Sequence, residues 1–306
     1  MVIGVTGAGG RLGRAVVDEL LIRGVPAERI VAIVRNPQET TDLSDRGVRV
    51  EYGDYDWRDT LTGALAGVNR LLLISSSSRQ RRVRQHRNVI DAAVRTGVES
   101  IAYTSMVRAQ GNPTMLAEAH RGTEAMLRTS PIPWTMLRHD WYWENYTAGL
   151  DAVIARGELL GAAGAGRVSG AAIADYAAAA ATVLTTDGHA GVVYELGGDY
   201  ALSGVQIAGC IAAVAHRPVA YRMLEPDAYA EALVETGLPR SVAAEAADNE
   251  IGIAAGWFDM RSGDLHRLIG RDTTPLSSVV RTALRESGSQ TAGQSETGNP
   301  DRGGHL

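Results

Sequence analysis

The residues best suited to chemistry stand at the start of the chain, where an apolar run, Val2 to Thr6, breaks into Gly7, Ala8, Gly9, Gly10, Arg11, Leu12 and Gly13. Gly7, Gly10 and Gly13 form a G-x-x-G-x-x-G pattern. In a nucleotide-binding turn the first glycine makes the tight bend, the second lets the backbone approach a pyrophosphate, and the third lets helix and strand pack closely. Free amides at the start of the helix then hold the phosphates. About twenty residues further on, where an acidic residue would hold the ribose 2′-hydroxyl of NAD, the chain has Arg35. A guanidinium there suits the 2′-phosphate of NADP; a surface arginine at a strand end is the other reading. Asp54 is placed either to accept from an adenine amine or to cap a helix that begins near Trp57. Ser75, Ser76 and Ser77 follow a strand end, where a cofactor's phosphates and nicotinamide ribose would lie.

These positions need a particular scaffold. A strand ending at Thr6, a helix with Leu12, Ala15, Val16 and Leu20 on its apolar face, and a second strand over 29 to 35 make one βαβ unit. Further strands over 48 to 52, 70 to 74, 98 to 104 and 132 to 138, with helical stretches between them, predict six alternating units and a doubly wound parallel sheet. His86 falls on an apolar helix face with Val89, Ile90 and Ala93, so it reads as an inner, satisfied histidine. The run Arg79, Arg81, Arg82, Arg84 and Arg87 reads as a solvated helix face that also steers an anionic cofactor.

Past residue 138 the pattern changes. Trp141, Tyr142, Trp143 and Tyr146 crowd four aromatics into six residues just beyond a strand end, either as core or as a wall for a flat substrate. Short strands over 158 to 161 and 192 to 196 and an alanine-rich helix capped by Asp175 follow, the later strand returning to the sheet. From 203 to 284 the chain reads as helical, with one strand near 219 to 223. The division expected is a dinucleotide-binding domain over 1–138 that 174–197 rejoins, a substrate lobe of 139–173 and 198–286, and a disordered tail over 287–306.

Composition limits the chemistry. The chain has 306 residues, a net charge of −5 and a single cysteine, Cys210, so bulk nucleic-acid binding and an internal disulfide framework are not expected. No apolar run approaches a membrane span, and the strand that starts at residue 2 leaves no room for a leader. A cytoplasmic protein is therefore expected. Lysine is absent. That excludes a Schiff-base lysine, a Walker-type phosphate loop and the Tyr-x-x-x-Lys pair with which short-chain dehydrogenases protonate an alkoxide. No metal cluster stands out.

Together these segments resemble the NmrA-like branch of the atypical short-chain dehydrogenases, and within it the type 2 NAD(P)H:quinone oxidoreductases. The resemblance runs from Val2 to about Leu284. It is carried by the segments Val5 to Gly13, Ile30 to Pro37, Leu71 to Ser77, Gln85 to Ile90, Ile101 to Ser105, Trp141 to Tyr146 and Ala174 to Ala180. It implies a Rossmann-type α/β fold with a smaller, mostly helical C-terminal substrate lobe. It also implies NADPH, with NADH a weaker donor, bound along Gly7 to Leu12, Arg35, the serine loop, Trp141, Tyr142, Glu144, Asn145 and Tyr146. A small quinone would enter from the lobe. Trp141, Tyr142 and Tyr146 would form its wall, and Asn145 would orient the nicotinamide or the quinone oxygen. His120, where related reductases carry lysine, would be an optional proton source or simply an exposed helix histidine. The chain departs from the family at Gly9, in place of threonine, and at Ile173, in place of a basic residue. A non-catalytic NADP(H)-binding redox sensor would show the same lack of a Tyr/Lys pair. The oligomeric state is open, a homodimer included.

Overall fold

A computed structural model describes residues 1–78 and 80–295. Strands β1 (Ile3–Thr6), β2 (Ile30–Val34), β3 (Arg49–Tyr52), β4 (Arg70–Leu73), β5 (Ser100–Met106) and β6 (Trp134–His139) alternate with helices α1 (Arg11–Ile22), α2 (Thr41–Asp45), α3 (Arg58–Ala64), α4 (Arg82–Thr96) and α5 (Met115–Thr129). After α6 (Leu150–Arg156), β7 (Glu158–Gly161), β8 (Arg167–Val168) and α7 (Ile173–Thr185), strand β9 (Val193–Leu196) returns to the sheet. Its order is β3-β2-β1-β4-β5-β6-β9, and every pairing is parallel. This is the doubly wound Rossmann-type architecture that the alternation predicts.

Both faces of the sheet are covered, so β2 is apolar throughout. Ile30, Ala32 and Val34 join the cluster beneath α1 and α7, while Val31 and Ile33 join the one beneath α3 and α4. The alanines of α7, Ala177 to Ala181, are buried and let that helix pack closely against α1. The lobe is built on its own core of Trp143, Ile207, Ile211, Ile253 and Phe258. It comprises α8 (Gly204–Ala215), β11 (Ala220–Met223), α9 (Pro226–Glu235), α10 (Arg240–Ala254) and α12 (Leu276–Ser295), whereas α11 (Asp264–Ile269), expected in the lobe, packs back on α7 and β9 with Leu265 in the cluster beneath α1 and α7. Strand β11 pairs in parallel with β7, and β10 (Leu202–Ser203) pairs with β8.

Two further expectations are corrected, at Asp175 and in the tail. Asp175 is the third residue of α7 rather than its cap, and its carboxylate takes the N–H and hydroxyl of Thr274 and the Arg271 guanidinium instead. Glu144, distant in sequence, accepts the Ile173 N–H at 2.9 Å and so satisfies the first amide of α7. The tail expected from 287 is helical as far as Ser295, because α12 runs on; residues 296–306 lie outside the described residues. No helix among the described residues is long and apolar enough to cross a membrane.

The carboxyl edge of the sheet is held by a buried charge network that the sequence did not reveal. Arg138 on β6 grips Glu124 of α5 with two N–H···O bonds at 2.8 and 2.7 Å, and reaches Glu195 of β9 at 2.6 Å. Ser105 of β5 donates to the same Glu124 at 2.7 Å. Burial raises the Glu124 pKa, but the hydrogen bonds from Arg138 and Ser105 outweigh it and hold the carboxyl below its ordinary range. Arg138→Met removes the buried guanidinium shared by two carboxylates and should cost about 3–5 kcal/mol in urea unfolding. Because the folded pKa of Glu124 is depressed, its stabilisation is complete above the unfolded pKa and is lost as pH falls through the folded one. The variant should lose that acid-side slope.

Candidate functional site

The sheet reverses its winding between β1 and β4, and ligands of open α/β sheets bind outside the strand ends at such a point. Gly7 follows β1 with φ +62°, a left-handed turn that glycine adopts freely. The Gly10 N–H closes the turn on the Gly7 carbonyl at 3.0 Å. A Cβ on Gly13 would lie 2.4 Å from the Gly7 carbonyl oxygen and 2.6 Å from the Ala8 Cα, so only glycine lets α1 approach β1 this closely. At Gly9 the nearest atom would be the Thr40 methyl at 3.4 Å, so this departure from the family leaves the turn intact. Helix α1 has no side-chain cap and no acid in its first turn, which leaves its amides and positive dipole end to an anion.

Two residues that the sequence reading passed over brace this turn. Arg14 donates to the Gly9 carbonyl at 3.3 Å and the Glu39 carbonyl at 2.9 Å, and pairs with Asp42. Tyr55 donates its phenol to the Ile74 carbonyl at 2.8 Å and also meets the Thr6 hydroxyl, which stitches the ends of β4 and β1. Their signal was present only as a tyrosine after Asp54 and an arginine after Gly13. Arg35 stands exposed just past β2 and makes no ion pair among the described residues. Asp54 turns inward. Its carboxylate accepts the Asp56 N–H at 2.9 Å and its own N–H donates to Thr60, so it shapes the lead into α3 without capping it; Trp57 is at the cap.

The serine loop is pinned from beneath. The Ser75 N–H donates to Thr104 at 2.9 Å and the Ser76 N–H to His86 Nε2 at 2.9 Å, while the Ser76 carbonyl accepts from Arg82 at 2.7 Å. Ser77 is exposed. Since His86 Nε2 accepts, Nδ1 carries the hydrogen and donates to Thr123 at 2.8 Å. Burial pushes the His86 pKa down to about 3, so it is the neutral, satisfied histidine expected. The arginine run divides. Arg82 is buried under the loop, Arg81 and Arg84 pair with Asp56, Arg87 is exposed, and Arg79 lies outside the described residues.

His120 is not an exposed helix residue: it is 5 % exposed and pairs with the Tyr103 phenol at 2.7 Å. Burial, with Arg82 nearby, pushes its pKa well below the ordinary value, so it carries no extra proton to give. The aromatic segment also splits. Trp143 is core at 3 % exposure. Tyr142 turns toward the core under α1 and α7, its phenol 2.8 Å from His139 Nδ1 and its ring edge-on to Tyr176. Trp141 and Tyr146 pack instead against the lobe, Trp141 edge-on to Phe258 with ring centroids 5.3 Å apart. A single wall of all three is therefore not formed. Asn145 is exposed on the short turn Trp143–Tyr146.

Buried polar atoms without a hydrogen-bond partner gather here. Of eight such side-chain atoms among the described residues, five belong to His139, Asp140, Trp141 and Glu144. Orphans of this kind are rare in folded proteins and cluster where a ligand or water completes them. Burial raises the carboxyls of Asp140 and Glu144, the former well above its ordinary range.

The sequence pattern of the NAD(P)H-binding family matches residues 7–183. The chain is 45% identical over 278 residues to quinone oxidoreductase 2 of Escherichia coli (strain K12), covering 91% of this chain and 97% of that protein. The crystal structure of NADPH-dependent quinone oxidoreductase QOR2 from that species, complexed with NADPH, superposes with a TM-score of 0.89 at 44% identity, over 92% of this chain and all of the other. Triphenylmethane reductase of Citrobacter sp., complexed with NADP(H), gives 0.88 at 37% identity over 92% and 99%.

Gly13→Ala should abolish saturable NADPH binding, measured by fluorescence titration, because the methyl group meets backbone. Gly9→Ala meets only a methyl and should bind within a few-fold of the wild type.

Proposed function

Since the chain belongs to the NAD(P)H-binding, NmrA-like branch of the short-chain dehydrogenases, we propose that it is an NADPH-dependent quinone oxidoreductase acting on a small quinone. Identity of 45% across nearly the whole of a quinone oxidoreductase carries this reading. The cradle fits the cofactor: a turn where a Cβ at Gly13 is forbidden, an uncapped helix end, and a cation at Arg35. NADPH, when bound, supplies the hydride.

The residues divide the work. Gly7, Ala8 and Gly10 would shape the turn around the pyrophosphate, with the Ala8 and Gly10 N–H groups bonded to Ile33 and Gly7, while Gly9, Arg11, Leu12 and Gly13 would offer it backbone amides, and Arg35 would take the 2′-phosphate. Ser75, Ser76 and Ser77 would line the ribose, with Ser75 and Ser76 fixed by Thr104 and His86. Tyr142, Glu144 and Asn145 would border the nicotinamide, while Trp141 and Tyr146 form the face toward the quinone. Positioning supplies most of the rate, since a quinone that accepts hydride becomes a delocalised anion and needs no strong acid. The absence of lysine therefore fits this acceptor better than an alcohol or sugar. The cluster of orphaned polar atoms beside the aromatics favours an enzyme over a binding-only sensor, which needs no second ligand there.

Purified protein should oxidise NADPH only when a simple benzoquinone is added, and faster than it oxidises NADH. Arg35→Ala should reduce the preference for NADPH over NADH by roughly 10- to 100-fold, the worth of a charge-assisted hydrogen bond. Saturable NADPH binding without turnover on any quinone would transfer the assignment to a sensor. Trp141→Ala should raise KM for the quinone and leave NADPH affinity within a few-fold; unchanged quinone kinetics would remove Trp141 from the substrate face.

A further inference from the structure

One cluster of side chains that the proposed reaction does not use has the composition of a metal site. Its members come from three segments: Asp199 from the loop after β9, His266 from α11, and Asp272 from the loop that joins α11 to α12. Gly270 ends α11 at φ +70°, and the turn brings Asp272 back beside His266. Thr273 fixes the other carboxylate. Its N–H and hydroxyl donate to Asp199 Oδ2 at 2.7 and 3.0 Å, and the Asp199 N–H meets the Thr273 hydroxyl oxygen at 3.1 Å. Asp199 Oδ1 is left facing His266 Nδ1 at 3.4 Å, and Asp272 Oδ1 faces the same nitrogen at 3.6 Å. All three atoms lie within 4.8 Å of one another. The neighbouring arginines are engaged elsewhere, Arg267 with Asp264 and Arg271 with Asp175. The cluster carries no local sequence signature, because Asp199 is remote from the other two along the chain.

The spacing separates an ion pair from a cation site. A charge-assisted N–H···O bond draws nitrogen and oxygen to about 2.7–2.9 Å. Donors held about 2.0–2.2 Å from a tetrahedral zinc ion stand about 3.3–3.6 Å apart, whereas those of octahedral magnesium stand about 2.8–3.0 Å apart. Both imidazole–carboxylate separations match the zinc spacing. We propose that Asp199, His266 and Asp272 bind one divalent cation of the zinc class, for which an imidazole with two carboxylates is a suitable donor set. Water takes the fourth position, since the His266 and Asp272 side chains are 48% and 85% exposed. The ion acts as a clasp. It fastens the loop before α12 to the loop after β9, and the next residue but one, Thr274, holds Asp175 of α7 through its N–H and hydroxyl at 2.7 and 3.0 Å. Since α7 packs on α1, the clasp joins the start of α12 to the helix pair beside the cofactor turn.

Zinc sulfate titrated near neutral pH into the full chain without an affinity tag should bind saturably at one site by calorimetry, and should raise the thermal midpoint. Asp272→Ala changes a side chain that stands in solvent, so this variant should match the wild-type midpoint in zinc-free buffer. It should nevertheless bind zinc at least roughly 10-fold more weakly and lose the zinc-induced rise, because a lost ligand costs no less than a lost outer partner. His266→Gln should do the same. Cobalt(II) in place of zinc should give the intense visible absorption of a tetrahedral ion, and an equal concentration of magnesium should leave that spectrum unchanged. No saturable zinc binding by the wild type, unchanged affinity in both variants, or displacement of cobalt by magnesium would overturn the site. None of these readouts depends on turnover, so a wild type inactive toward every quinone would overturn the reductase reading and leave the cation site standing.

Discussion

The constraint on which the nucleotide end of the molecule depends is the approach of α1 to the turn after β1, where a single methyl group at Gly13 would overlap the Gly7 carbonyl. That approach sets the helix end, with its free amides, directly over the strand end. The remaining parts are arranged around it. Alanine-rich α7 packs beside α1, Arg14 ties the turn to the loop after β2, and Tyr55 locks the ends of β1 and β4 together. The dinucleotide site proposed here would require all of these at once, because its phosphate, ribose and nicotinamide contacts would come from four separate strand ends.

The second organising element is electrostatic. In a chain without lysine every buried cation is a guanidinium, and Arg138 uses its fork to bind carboxylates from α5 and β9 together. The same edge carries histidines that burial keeps neutral, at His86, His120 and His139. The charge at this end of the sheet is thus fixed by arginine and glutamate, with histidine serving as a hydrogen-bonding spacer. Arg108, in a left-handed conformation at φ +51°, extends the network into the lobe by donating to the carbonyls of Gly256 and Asp259 and, through its N–H, to Glu195.

The fold was legible because its signals are local. Apolar runs bounded by glycine, the glycine spacing and the alanine stretch each report on nearest neighbours, and they give all seven sheet strands. The lobe strands over 158–161 and 220–223 were also visible, but not that they pair with each other, since that contact joins distant segments. The same limit explains the site. Gly7 to Gly13, Arg35 and the serines sit at predicted strand ends, whereas Glu144 under α7, Asp175 against Thr274 and Arg138 against Glu124 meet partners that no local pattern names. The exposed-helix reading of His120 failed because the buried stripe of α5, Ala117, His120, Thr123, Glu124 and Leu127, is largely polar and so carries no apolar signal; the contact with Tyr103 holds His120 inside. The aromatic segment misled in a different way: proximity in sequence suggested one surface, but the turn sends Tyr142 and Trp141 to opposite cores.

The placement of β9 also bears on how the chain reaches this structure. The polypeptide leaves the sheet at His139 and returns only at Val193, so during synthesis β6 waits with one edge of its backbone unpaired while the intervening segment is made. An open, apolar parallel edge is a template for pairing with another chain, and non-local strand pairing is slow. Arg138 lies on this waiting strand, and the carboxylate that fills its second arm is delivered by the same β9 that closes the edge. Until that strand arrives, the outer nitrogen of the guanidinium lacks its acceptor at the sheet border, so the strand that supplies Glu195 completes the ion network and covers the edge in one step, in the interval when a growing chain is most exposed to aggregation.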